Sequence, residues 1–182
     1  MAAAIETLMA TQTATELEAV FRAHYARVLR AAYRVTGSMV DAEDVAQSVF
    51  LRLARRGIDS RCITNLLSYL QRSAVNAALD LLRARRNRET VVVETTDKLL
   101  ATSAVSPEQA LSCSEIRDQL RRALVALNPR VAEMFTLRYL EELDNREIAR
   151  LMDTSQAVVA VTLFRARAQL RKGLSGFRKG AP

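Results

Sequence analysis

Apolar side chains recur at the spacing of amphipathic helices along most of this 182-residue chain. The periodicity starts near Thr15, where Thr-Glu-Leu-Glu has the form of a capping box, and it ends near Arg88. It is lost over residues 89–106 and returns at Pro107. The pattern therefore predicts an all-α protein of two small helical domains, over residues 15–88 and 107–176. A flexible linker is predicted over 89–106, a disordered tail over 1–14 and a second tail over 177–182.

The second predicted helix begins at Asp41, a good N-cap residue after Gly37 and Ser38. One of its stripes is apolar, as expected for a face that packs on a core (Val45, Ala46, Val49, Phe50 and Leu53). The opposite side combines an acid, an amide, a hydroxyl and a leucine (Asp44, Gln47, Ser48 and Leu51). Such a mixed face suits contact with another protein. The alternative is an ordinary solvated face.

A longer helix is predicted over residues 66–87, with Asn65 as its N-cap and with Arg72 and Asn76 along one side. It ends in a cluster of four arginines (Arg83, Arg85, Arg86 and Arg88). A basic last turn complements the helix dipole, but one or two cations suffice for that. An anionic partner explains the surplus charge better. The valines at 91–93 are compatible with a short strand, although the linker offers it no partner strand.

Capping residues mark the helices of the second domain. Ser106 and Pro107 start the first of them, and it ends at Asn128-Pro129. Asp144 and Glu147 form another capping box, and Ser155 caps the last helix. Two short helices joined by a tight turn predict a helix-turn-helix.

The formal net charge of +7 and the isoelectric point near 10.1 indicate a polyanionic partner, either nucleic acid or an anionic membrane surface. No apolar run is long enough to cross a bilayer, and the start lacks the layout of a signal peptide, so we expect a cytoplasmic protein without membrane insertion. Cys62 and Cys113 match no zinc spacing. There is no nucleophile–base set and no glycine-rich phosphate loop, so the sequence predicts no enzyme, no metal and no cofactor.

The run Asp-Ala-Glu-Asp-Val-Ala-Gln-Ser-Val-Phe-Leu-Arg-Leu at 41–53 closely resembles the second conserved region of bacterial RNA polymerase sigma factors of the extracytoplasmic-function (ECF) group. Tyr69-Leu70 stands where that family usually has Trp-Leu, and Asn76, Asp80 and Arg83 match its Asn, Asp and Arg. Residues 127–139 and 147–171 resemble its fourth region, including the helix-turn-helix. The resemblance runs from about Leu17 to Leu174, with only the linker unmatched.

The resemblance implies a protein that recruits core RNA polymerase to promoter DNA and helps to open it, without covalent chemistry of its own. It assigns core-polymerase binding to Asp44, Gln47, Ser48 and Leu51, although the family usually has an acid at 48. Capture of the minus-ten strand needs a cationic track and a pocket for an unstacked base. Residues of the third helix and of the loop before it are the candidates (Arg61, Cys62, Ile63, Arg72, Asn76, Arg83, Arg85, Arg86 and Arg88). Asn76 can also be an ordinary surface amide. An anti-sigma factor or other regulatory protein is a further expected partner.

The recognition helix departs from the family pattern. The family places Gly, Thr, Lys, Ser and Arg where this chain has Ala157, Val158, Ala160, Val161 and Thr162. Valine cannot make the hydrogen bonds that read bases in the major groove, and an exposed apolar face more often marks a protein contact. The candidates for upstream DNA or partner binding are Ser155, Gln156, Val158, Val161, Thr162, Arg165 and Arg167.

Two functions fit these observations. The first is an ECF-type sigma factor that initiates transcription. The alternative is a sigma-like adaptor whose C-terminal domain contacts a protein partner instead of reading a minus-thirty-five element. A plain helix-turn-helix repressor fits less well, because it leaves the predicted polymerase-binding helix unexplained.

Overall fold

The computed structural model describes residues 2–56, 65–92 and 107–175, and these contain seven helices and no strand. The helices are α1 (Ala2–Thr36), α2 (Met39–Arg56), α3 (Leu66–Val92), α4 (Pro107–Ala126), α5 (Pro129–Tyr139), α6 (Asn145–Leu151) and α7 (Gln156–Ser175). Within these ranges no helix is long and apolar enough to cross a membrane. The all-α prediction is confirmed.

Helices α1, α2 and α3 pack on one another to form the N-terminal domain. The apolar stripe predicted for α2 lies in their shared core, where Val45, Val49 and Leu53 are buried. Gly37 makes the turn between α1 and α2 with a φ of +70°, a conformation that favours glycine. At the start of α3, the Asn65 side chain accepts a hydrogen bond from Ser68 N at 3.1 Å, as its predicted capping role requires.

The predicted starts of α1 and α2 and the predicted end of α3 differ from the structure. α1 begins at Ala2, so the tail predicted over 1–14 is helical from its second residue. The segment is rich in alanine and contains neither Gly nor Pro, and Thr15 therefore lies inside a helix instead of capping one. α3 continues to Val92, so residues 91 and 92 are helical and form no strand. The rest of the predicted linker, up to 106, lies outside the described residues.

The start of α2 also differs. The helix begins at Met39, and Ser38 stands before it, with its carbonyl accepting from Ala42 N at 3.0 Å and its hydroxyl from Asp41 N at 3.4 Å. Asp41 is therefore not the N-cap. Its carboxylate is buried and forms a two-pronged ion pair with Arg85 of α3, at 2.5 Å for each oxygen.

Helices α4 to α7 form the C-terminal domain, and the predicted caps of α6 and α7 are present. The predicted cap Ser106 lies outside the described residues. Asn128 accepts from Arg130 N at 3.1 Å, and Asp144 and Glu147 form the capping box of α6. Ser155 Oγ accepts from Val158 N at 3.2 Å at the start of α7. α6, the turn over 152–155 and α7 form the helix-turn-helix. α7 is anchored by Val159, Leu163, Ala166 and Leu170, which are all buried.

The two domains lie against each other. α3 packs on α4, α5 and α6, and buried apolar side chains of both domains belong to one continuous cluster. Arg121 of α4 donates to the carbonyl of Val35 in α1 at 3.1 Å. Its guanidinium lies directly over Gly37, where an added Cβ would come within 1.8 Å of Nη2. A side chain at this turn would therefore push the Arg121 guanidinium aside, in addition to being strained at a φ of +70°.

Candidate functional site

The outer face of α2 is exposed, as the sequence predicts. Asp44 and Gln47 are exposed, and Leu51 keeps 57% of its surface in solvent although it is a large apolar side chain. Ser48 is half-buried, and its hydroxyl donates to the carbonyl of Val45 at 2.8 Å. The hydroxyl is therefore occupied within the helix and is less available to a partner than the predicted role assumes.

Val40 belongs to the same face and was missed by the sequence analysis. It is 69% exposed, and with Asp44, Gln47 and Leu51 it follows the spacing i, i+4, i+7, i+11 of a single helix face. The spacing could have identified Val40, but the helix was predicted to begin at Asp41, which left Val40 outside it. We call Val40, Asp44, Gln47 and Leu51 the α2 outer face.

The polar face of α3 is covered instead of open. Glu133 of α5 accepts hydrogen bonds on its Oε1 from Arg72 Nε at 2.6 Å and from Asn76 Nδ2 at 2.8 Å. A further Arg72 nitrogen, Nη1, donates to the carbonyl of Leu151 in α6. The two predicted strand-binding residues are thus brought together, with a carboxylate of the other domain between them.

The four arginines near the end of α3 do not form one free cluster. Arg85 is paired with Asp41, so the argument from surplus charge does not apply to it. Arg83 donates to Asp80 at 2.9 Å, and its Nη2 is buried with no acceptor among the described residues. Arg86 is exposed, and Arg88 is exposed with its Nε 3.4 Å from the carbonyl of Ala84. Arg61, Cys62 and Ile63 lie outside the described residues.

The recognition helix α7 presents an apolar outer face. Val158 and Val161 are each 49% exposed, and Phe164 is 67% exposed. Phe164 was not among the predicted residues, although it follows Val161 by three positions, the spacing of one helix face. Gln156, Arg165 and Arg167 are exposed, and Thr162 is half-buried.

A cleft opens beside the start of α7, between α6 and the turn. It is lined by Arg146, Ala149, Arg150, Asp153, Thr154, Ser155 and Gln156. The two guanidinium groups and the N-terminus of α7 favour anions, and the carboxyl group of Asp153 opposes them. Arg146 and Arg150 were not among the predicted site residues, because their position beside Ser155 depends on how α6 and α7 pack.

Glu141, in the segment after α5, is a buried acid. Burial raises the pKa of its carboxyl above the ordinary value of 4.5, and Arg34, Gln71 and Arg30 act against the shift. Its Oε2 accepts from Gln71 Nε2 at 3.0 Å, and its Oε1 lies 3.4 Å from Arg34 Nη1. The groups that oppose the shift, Arg34, Gln71 and Arg30, all belong to the N-terminal domain.

Comparisons with known proteins match this architecture. The family description of sigma-70 region 2 matches residues 20–88, and that of sigma-70 region 4 matches residues 117–170. The chain is 30% identical over 168 residues to the RNA polymerase sigma-E factor of Streptomyces avermitilis, covering 91% of this chain and 89% of that protein. This chain belongs to the ECF group of RNA polymerase sigma factors.

Two further relatives support the assignment. The chain is 31% identical over 130 residues to the ECF RNA polymerase sigma factor SigM of Bacillus subtilis, covering 71% of this chain and 77% of SigM. Its fold is similar to that of the sigma factor RpoE in a co-crystal structure with the anti-sigma factor NepR from Bartonella quintana. That match has a TM-score of 0.53 at 19% identity and covers 88% of this chain and 97% of the other. The resemblance to ECF sigma factors seen in the sequence is confirmed.

Proposed function

We propose that this ECF sigma factor binds core RNA polymerase through the α2 outer face and captures one strand of the minus-ten element through α3. It thereby recognises promoter DNA, helps to open it and starts transcription. The polypeptide supplies binding energy and no covalent catalysis, and it works in the cytoplasm, where the polymerase acts.

The observation that carries the proposal is the contrast between the two sides of α2. One side fills the core of the N-terminal domain with Val45, Val49 and Leu53. The other side exposes Val40 and Leu51 around Asp44 and Gln47. Large apolar side chains next to an acid and an amide make a surface whose burial by a protein partner is favourable, since apolar and hydrogen-bonding groups are both satisfied there.

For the DNA strand, Arg72 and Asn76 supply a cation and an amide on adjacent turns of α3. Their partner in the structure is a carboxylate, which shows that they can bind an anionic oxygen. A phosphate oxygen makes the same charge-assisted hydrogen bonds, and an amide can also pair with the edge of an unstacked base. Arg86 and Arg88, which are exposed further along α3, extend the positive potential for the strand.

The test of polymerase binding replaces Asp44 and Gln47 together by Ala and measures the affinity of the full chain for core RNA polymerase. Because both side chains are exposed, helicity should be unchanged while the affinity falls by about tenfold or more. Glu43→Ala is the matched control, since it removes an exposed acid from the same part of the helix but lies away from the outer face. Equal affinity of the double variant and the control would show that α2 docks elsewhere.

A second function, contact with a regulatory protein such as an anti-sigma factor, is favoured for α7 by one observation. The exposed side chains Val158, Val161 and Phe164 form an apolar stripe where a helix-turn-helix normally carries polar base-reading groups. We propose that this stripe contacts a protein, while Arg165 and Arg167 hold DNA phosphates.

The two roles of α7 are separable by one substitution. Val161→Asp should disrupt a protein contact strongly and should leave promoter binding by the holoenzyme within about threefold, because valine reads bases poorly. Scrambling the minus-thirty-five region should likewise reduce transcription little, whereas changing the minus-ten region should abolish it. A large loss on scrambling the upstream element, in the absence of any partner, would assign base reading to α7.

A further inference from the structure

The C-terminal domain contacts the side chains of α3 to which we assign strand capture. We propose that this contact holds the sigma factor in a closed form, in which Glu133 occupies the strand-capture residues Arg72 and Asn76 and excludes DNA. The inference rests on the proposed function of α3, and it adds that the chain carries its own competitor for the minus-ten strand.

In this contact, Arg72 and Asn76 form an anion-binding site that is occupied by the carboxylate of Glu133. One carboxylate oxygen of Glu133 accepts from both Arg72 Nε and Asn76 Nδ2, at 2.6 and 2.8 Å. The Glu133 side chain is only 11% exposed, and that of Arg72 is 32% exposed. A DNA strand cannot take these two hydrogen bonds until Glu133 leaves, because both donors are already turned towards its carboxylate.

Further polar contacts join the same pair of domains. Glu141 bridges Gln71 of α3 and Arg34 of α1, and Arg34 also donates to the carbonyl of Leu140 at 2.5 Å. Arg121 reaches from α4 to the turn between α1 and α2. These contacts are rich in charged and polar groups. Buried apolar side chains of both domains belong to the same cluster, so opening must expose apolar surface as well as break these polar contacts.

The closed form blocks only one of the two proposed binding faces. Val40 and Leu51 of the α2 outer face remain exposed while Arg72 and Asn76 are covered. The closed sigma factor can therefore meet core polymerase before it can bind a DNA strand, which disfavours binding of the free protein to single-stranded DNA elsewhere.

The test compares Glu133→Lys with Glu142→Lys in the full chain. Both variants make the same change of charge in the C-terminal domain, but Glu142 is exposed and Glu133 faces α3. Small-angle X-ray scattering should show an increased radius of gyration for Glu133→Lys alone. Fluorescence anisotropy with a labelled random-sequence single strand of about 15 nucleotides should show tighter binding than for the control. If the closed form predominates about tenfold, the gain is about tenfold.

Glu133→Gln guards against a folding defect, because it keeps the shape of the side chain and removes only its charge. Circular dichroism checks the helicity of each variant, and Glu133→Gln should give smaller changes in the same direction. If neither Glu133 variant expands the chain, the closed form is not held by Glu133. If the chain expands but binds the strand no better than Glu142→Lys, the competition with DNA is refuted.

Strand capture itself is tested separately, in the opened Glu133→Lys variant. There, Asn76→Ala and Arg72→Ala should each lower the affinity for the same single strand. If the opened chain expands as expected and these substitutions have no effect, the assignment of α3 to strand capture fails, while the scattering result still reports the contact between the domains.

Discussion

The α2 outer face and the polar face of α3 belong to one three-helix domain, yet they differ in access. On α2, Val40 and Leu51 are more than half exposed, with Asp44 and Gln47 beside them. On α3, Arg72 and Asn76 are engaged by Glu133 of the other domain. The residue types of a face indicate what it can bind, but its accessibility depends on the packing of the whole chain.

The largest effect is expected on the open face. Replacing Val40 and Leu51 together by Asp places two charges where we expect the polymerase to bury apolar surface, and the affinity should fall by about 100-fold. Equilibrium binding of the full chain to core RNA polymerase measures this. Met39→Asp is the control, since Met39 is 54% exposed in the same turn but points away from the outer face.

This loss should be the same in a Glu133→Gln background, because the α2 outer face is exposed whether the chain is closed or open. A loss that depends on Glu133 would mean that the closed form also restricts polymerase binding. The contrast between the two faces would then be wrong.

A smaller effect is expected for the covered face. A double-mutant cycle between Arg72→Ala and Glu133→Ala should give a coupling energy of about 1–2 kcal/mol in urea unfolding, because the pair is largely buried and each single variant leaves an unpaired charge. The control cycle is Arg83 with Asp80, whose side chain is 74% exposed, and it should give less than about 0.5 kcal/mol. Equal coupling energies in the two cycles would mean that the contact between Arg72 and Glu133 does not specifically hold the domains together.

The sequence predicted what depends on neighbours along the chain. Asn65, Asp144 and Ser155 cap their helices as expected, because a cap needs only the next three residues. The exposure of Val158 and Val161 followed in the same way from helix periodicity.

What the sequence did not predict depends on distant partners. Asp41 has the residue type and position of an N-cap, but Arg85, 44 positions away, draws its carboxylate into an ion pair. The same pair removes Arg85 from the cations that need an anionic partner. Glu133 was not singled out at all, because its importance comes from Arg72 and Asn76 in the other domain.

The distinction between paired and unpaired arginines leads to a third prediction. Arg88→Ala should reduce the log–log salt dependence of single-strand binding by about 0.7, the value for one phosphate contact. Arg85→Ala should leave that slope unchanged and should instead lower the free energy of unfolding, because it leaves Asp41 buried without its partner. Salt titrations by anisotropy and urea unfolding give the two quantities. If Arg85→Ala changes the salt dependence of single-strand binding, Arg85 contacts a DNA phosphate.

The smallest effect concerns Glu141 and pH. Burial raises the pKa of its carboxyl in the closed form, against the opposing influence of Arg34, Gln71 and Arg30. A carboxyl whose pKa is raised stabilises the closed form fully below its ordinary value of 4.5, and this contribution is lost as the pH rises through the shifted pKa. The ionised carboxylate therefore weakens the contact between the domains at neutral pH, and acidification from pH 7 should tighten it.

Glu141→Gln isolates this contribution because glutamine keeps the shape of the side chain and its hydrogen-bonding ability but cannot ionise. At pH 7 the variant should be at least as compact as the parent, since the cost of burying a charge is gone and Gln71 still finds an acceptor. The difference between the two chains, followed by small-angle scattering from pH 7 downwards, should shrink as Glu141 of the parent becomes protonated. Glu142→Gln should show no such difference, because Glu142 is exposed. If the Glu141→Gln chain is instead more expanded than the parent at pH 7, the ion pair with Arg34 outweighs the cost of burying the charge. The ionised Glu141 would then strengthen the contact between the domains.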